Sequence, residues 1–176
     1  SCRSEKGRID MFCPNCGKEG NGNFCAYCGV SMETGWRYVE LNEKQFYEFQ
    51  FSPVLKKHYA LTTKEIELYS QITKARDYFG IEAEQFICLA EQDIAIARSF
   101  YELHKKYRQS LPLYYSFKNL AILYENRREY DKAISVCKKA IADGYRSDGT
   151  KGGMEGRIKK LQRLKDIAAS REKVTQ

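Results

Sequence analysis

The 176-residue chain has no run of about 18 or more apolar residues, the length a helix needs to cross a bilayer, so no membrane span is expected. Its first residues, SCRSEKGRID, lack the apolar stretch of a secretory signal. Nothing then points to an oxidising compartment, and the cytoplasm is the expected location. Histidine is scarce too, with His58 and His104 both far from the cysteine-rich front of the chain. A catalytic zinc keeps an open position and usually takes a histidine or carboxylate ligand, so this scarcity points any sulfur site toward a structural role. Catalytic motifs are also missing. The segment GYRSDGTKGGMEGR is glycine-rich, but it is not a G-x-x-x-x-G-K-[ST] phosphate loop and no strand precedes it, so it reads as a connector between helices. No nucleophile, base and orienting residue are grouped by motif, and a non-enzymatic protein is expected.

Hydrophobic residues make up 43% and charged ones 30%, as in a globular protein with room for one domain and a small module. The net charge of +7 is unevenly spread. Acidic and basic residues balance up to residue 110, whereas residues 111–176 carry 15 Lys and Arg against 8 Asp and Glu. Such asymmetry can mark a surface for nucleic acid, acidic peptide or anionic lipid, or simply solvated Lys and Arg on exposed helix faces.

Cys13, Cys16, Cys25 and Cys28 form C-x2-C-x8-C-x2-C, with Gly17 and Gly29 after the second cysteine of each pair. A CxxCG knuckle turns two sulfurs toward one ion, and the glycine accepts the tight backbone that this turn requires. Two knuckles supply the four thiolates of tetrahedral structural Zn2+; rubredoxin-type iron uses the same set and is the chemical alternative. The intervening KEGNGNF has the composition of a turn between short strands. About twenty residues are too few to fold on an apolar core, whereas metal binding contributes about 10–16 kcal/mol in small zinc peptides. Four thiolates and one divalent ion leave a negative site that backbone amides and Lys18 would offset. A disulfide pair would need an oxidising compartment, and a thioredoxin-like couple would need a single CxxC in a βαβ unit. The segment MFCPNCG…FCAYCG resembles the short zinc ribbons at the N-termini of many prokaryotic proteins, over residues 11–30. That resemblance implies metal ligation and leaves function open, since such ribbons bind nucleic acid or proteins or brace a neighbouring domain. Met11 reads as a translation start, which makes residues 1–10, with Cys2, a tail or vector-derived extension.

Residues 31–61 form an aromatic-rich linker. Trp36, Tyr38 and Glu40 alternate with Arg37, Val39 and Leu41, and Tyr47, Phe49 and Phe51 share a face at period two, which predicts a hairpin; a short helix through NEKQFYEF is the competing pattern. These aromatics are expected to glue the ribbon to the helical domain, with base stacking as the other use.

Helical periodicity then runs through residues 62–176. Thr62 and Thr63 are expected to cap a helix bearing Ile66, Tyr69, Ile72, Ala75 and Phe79 that Gly80 stops, and a longer helix or helix pair follows through Tyr107. Cys88 and His104 are expected to be packing residues. Residues 112–144 carry the clearest pattern: Phe117, Leu120, Ala121, Tyr124, Ala133, Cys137 and Ala140 stand at the spacing of a helical hairpin repeat, W-x2-L-G-x2-Y then A-x3-F. This stretch resembles a tetratricopeptide repeat, with Phe117 for tryptophan, Cys137 for phenylalanine and Tyr145 where the closing proline would stand. Ala97 and Tyr101 mirror Ala133 and Cys137 and suggest a degenerate second unit. A polar-backed capping helix is expected over residues 154–172, with Met154, Ile158, Leu161, Leu164 and Ala168 on one face.

The expected architecture is thus mainly α: a small zinc ribbon, a hairpin-like linker and a tetratricopeptide-like array. The repeat resemblance implies an adaptor that binds a protein or peptide, and Lys118 and Asn119 sit where some relatives of that family clamp a carboxylate, without the full set. The alternative is a nucleic-acid-binding protein in which Lys159, Lys160, Arg163 and Lys165 contact phosphates.

Overall fold

Helical structure begins much earlier than the periodicity predicts. Asn42 Oδ1 accepts from the Gln45 backbone N–H at 2.9 Å while Gln45 Oε1 accepts from the Asn42 N–H at 3.2 Å, a reciprocal cap that starts α1, Glu43–Gln50. Ser52 then accepts from the Leu55 N–H at 3.2 Å, and Pro53 supplies a preset first helical residue for α2, Pro53–Ala75. The hairpin expected in the linker is therefore helical from residue 43. Tyr47 and Phe51 stack at a centroid distance of 5.7 Å because they stand one helical turn apart. Thr62 and Thr63 lie inside α2 and bond back to the carbonyls of His58 and Tyr59, at 3.0 and 2.8 Å, instead of capping.

The computed structural model describes Met11–Phe12, Glu19–Gly20 and residues 40–174, with side chains from residue 40 to residue 171. The strands β1, Met11–Phe12, and β2, Glu19–Gly20, pair antiparallel with Met11 opposite Gly20 and Phe12 opposite Glu19. The remaining helices are α3, Ile81–Ile94; α4, Ala97–Lys106; α5, Tyr115–Asn126; α6, Tyr130–Ala142; and α7, Gly153–Val174. The protein is mainly helical. None of the helices among the described residues is long and apolar enough to cross a membrane.

The helices stack in sequence, α2 along α3, α3 against α5, α5 along α6 and α6 along α7, while α4 turns aside to touch α2 and α3. The hairpin preceding α5–α6 is accordingly α2–α3, and the pairing suggested by Ala97 and Tyr101 is corrected. Those two residues instead meet Tyr145, whose hydroxyl donates to the Ala97 carbonyl at 3.0 Å and whose ring stands edge-on to Tyr101. Gly144 makes this approach feasible: its φ is +101°, and a Cβ there would lie 2.6 Å from the Tyr101 ring. Helix α2 ends earlier than expected, at Arg76 with φ +54°, and Gly80 begins α3 rather than stopping α2. Arg108 and Arg128 take the same left-handed conformation after α4 and α5.

The core follows the repeat positions. Phe117, Ala121, Ala133, Cys137 and Ala140 have no exposed surface, and Leu120 has 1%. The alanines let α5 and α6 approach closely, and each large side chain removed from water contributes about 1.5–3 kcal/mol. Helix α7 closes this end of the stack with Met154 and Leu161 buried against it. Two other expectations fail: Ile66 on α2 and Phe79 in the connection before α3 are 63% and 68% exposed, and Cys88 faces solvent because α3 buries its Ala83, Phe86 and Ala90 side instead.

Candidate functional site

The four expected metal ligands, Cys13, Cys16, Cys25 and Cys28, lie outside the described residues, as do the expected tail and the Trp36–Tyr38 stretch. What is described is the strand pair on either side of residues 13–18, the span that carries the first CxxC. The pairing sets β2, Glu19–Gly20, inside the KEGNGNF stretch. Among the described residues no group of three or more His, Cys, Asp or Glu side chains could hold a metal ion.

Helix α5 carries Lys118 and Asn119, both half-buried. The Lys118 ammonium reaches toward the loop before α7, 3.9 Å from where a Cβ on Gly149 would stand. That loop is held by Asp148, whose side chain is 1% exposed. Asp148 accepts from the Thr150 N–H at 2.9 Å and from Arg157 Nε and Nη2 at 2.9 and 2.7 Å. Burial works to raise the Asp148 pKa, but the Thr150 and Arg157 hydrogen bonds outweigh it and hold the carboxyl below its ordinary value.

On α7 the four basic residues expected to contact phosphate divide. Lys160 pairs with Glu125 at 2.5 Å and Lys165 with Asp131 at 2.6 Å, both across to the α5–α6 hairpin. Lys159 and Arg163 are exposed and make no ion pair among the described residues. Half of the basic stripe therefore fastens α7 to its neighbours.

The most polar part of the core lies between α2, α3 and α5. Asp93 has no exposed surface; its Oδ1 meets His58 Nδ1 at 2.8 Å and its Oδ2 accepts from the Ser116 hydroxyl at 2.7 Å. The carboxylate can only accept from the imidazole, so Nδ1 carries the proton. Tyr114 donates to the Asp93 backbone carbonyl at 2.8 Å, and burial drives its pKa upward. Glu65 is 4% exposed, and its Oε1 has no partner among the described residues. Burial raises the Glu65 pKa to about 7, with the Asp93 charge adding to the rise and Ser116 opposing it. Next to this cluster the Phe100 ring lies between His58 and His104, at centroid distances of 4.3 and 4.4 Å. His104 Nδ1 bonds the Ser110 carbonyl at 2.7 Å, Nε2 has no partner among the described residues, and burial lowers its pKa to about 4.

A serine, an aspartate and a histidine in contact invite comparison with a hydrolase triad, but the order differs. Asp93 stands between the other two, so no imidazole nitrogen faces Ser116 to take its proton, and the cluster is shut away from substrate. Its chemistry is to fasten three helices. Sequence patterns held no hint of it, because each member is a single polar residue on an otherwise amphipathic helix.

Among the described residues, two clefts between helices are open to solvent. One, of about 500 Å³, lies between α2 and α3 beside Leu68, Leu89 and the Cys88 thiol. The other, of about 830 Å³, runs between the start of α6 and the end of α7, over Tyr130, Leu164, Ile167 and Ala168. Compared with protein-family models, curated proteins and solved structures, the chain matches none.

Proposed function

We propose that the protein is a zinc-binding adaptor in which Cys13, Cys16, Cys25 and Cys28 hold one structural Zn2+ and a tetratricopeptide-like array holds a partner protein or peptide. The observation that carries the array is the α5–α6 hairpin. Its repeat positions, Phe117, Leu120, Ala121, Ala133, Cys137 and Ala140, are all at or near zero exposure, and the helices before and after it continue the same stack. The β1–β2 pairing around residues 13–18 supports the metal module, since a short ladder brings together the ends of a span holding two of the four thiols. Lys118 and Asn119 on α5, with the basic excess of residues 111–176, favour an acidic partner. The Lys160–Glu125 and Lys165–Asp131 pairs support protein binding over phosphate binding on α7, because those two ammonium groups already have carboxylate partners.

Elemental analysis of the purified chain tests the metal: one equivalent of zinc is expected, lost on Cys13→Ser with Cys25→Ser. Neither zinc nor iron in the intact chain would end that part of the proposal. Affinity capture with metal-loaded protein tests the array, and the retained partner should be lost on Lys118→Glu while the circular dichroism spectrum stays unchanged.

A further inference from the structure

We infer that the Glu65–Ser116–Asp93–His58 cluster is a pH-responsive latch, closed while Glu65 carries a proton and loosened, with α2 parting from α3 and α5, when that proton leaves to solvent. The number of donors in the cluster decides its state. Asp93 accepts through both oxygens, from the His58 Nδ1–H and from the Ser116 hydroxyl, at 2.8 and 2.7 Å. A serine hydroxyl has one proton. Once it is given to Asp93 Oδ2, Ser116 has no proton left to offer an ionised Glu65. Ser116 could favour the ionised Glu65 only by turning its proton away from Asp93.

Glu65 Oε1 points the same way, being unpartnered among the described residues in a side chain that is 4% exposed. As the carbonyl oxygen of a neutral acid it leaves one weak acceptor unmet, whereas in an ionised carboxylate it would be a buried, unsolvated half-charge. Among the groups facing Glu65 only the Ser116 hydroxyl could offset such a charge, and its proton is held by Asp93. From α3 comes Asp93, from α5 Ser116, from the segment before α5 the Tyr114 hydroxyl, and from α2 itself His58, already given to Asp93. His104 of α4 acts on the cluster only through His58. Ionising Glu65 therefore sets two carboxylates against one hydroxyl proton, and the one that loses is on α2. The burial that raises the Glu65 pKa to about 7 sets the range in which the latch works.

The full-length chain and its Glu65→Gln variant test this directly. In infrared difference spectra the wild type should show the C=O stretch of a protonated carboxylic acid at pH 6 that disappears above pH 8 and is absent from Glu65→Gln. Amide hydrogen exchange should then show the protection of α2 in the wild type falling, relative to the variant, by about tenfold between pH 6 and pH 8. No protonated-acid signal at pH 6 would overturn the inference, and the spectrum of the wild type alone decides that point even if the variant folds poorly. A signal that titrates while α2 protection in the two proteins stays parallel would overturn the latch.

Discussion

Replacing His104 by phenylalanine isolates the cost of a buried imidazole. The ring lies between Phe49, edge-on at 5.1 Å, and Phe100 at 4.4 Å, and its Nε2 has no partner among the described residues. A second apolar ring fills that space with little change in volume, at the loss of one hydrogen bond to the Ser110 carbonyl. Near neutral pH the substitution should alter stability by no more than about 1 kcal/mol, the net worth of such a bond. Acid separates the two proteins. Burial lowers the His104 pKa to about 4 from an ordinary value of 6.5, so between those limits the unfolded chain binds a proton that the folded chain refuses. Its contribution is present above pH 6.5 and is lost as pH falls through that window toward 4. Linkage gives a loss of about 2 kcal/mol at pH 5 and about 3 kcal/mol at pH 4. Glu65 acts in the opposite sense, since its pKa rises from 4.5 to about 7 and its contribution, present below pH 4.5, is lost as pH climbs through 7. The two partly cancel in the wild type, and the informative quantity is the difference between variant and wild type in urea denaturation at pH 7.5 and pH 5. His104→Phe should gain about 2 kcal/mol on the wild type between those conditions, or about 4 to 8 °C in melting temperature. A difference that does not change with pH would refute the argument that this imidazole stays neutral in the fold.

Two further substitutions probe the packing. Phe117→Ala should cost about 3–5 kcal/mol in urea denaturation, because its fully buried ring meets Tyr114 and Tyr145 at 5.5 and 5.6 Å and nothing nearby can collapse into the space; a loss under 1 kcal/mol would mean that the α5–α6 contact is not the centre of the core. Arg157→Met should leave the Asp148 carboxylate, 1% exposed, without its guanidinium and cost about 3 kcal/mol, with faster proteolysis of residues 147–153; unchanged proteolysis would show that the loop is held by Thr150 alone.

The sequence by itself determined the helical content of residues 62–174, the hairpin at 115–142 and the closing helix, because spacing of three and four residues specifies which side of a helix leaves water before any partner is known. Residues 43–51 were less legible, since a short run of alternating aromatics satisfies both periods and the decision falls to the Asn42–Gln45 cap. Cys88 and Phe79 are exposed for other reasons: α3 turns a different face inward from the one carrying Cys88, and Phe79 falls in the connection after α2 ends at Ala75. The polar core was decided by tertiary structure alone. His58, Glu65, Asp93 and Ser116 come from three helices and share no local motif; docking α2 and α5 onto α3 brings them together, and only in that desolvated space do the direction of one serine proton and the charge of one glutamate affect stability.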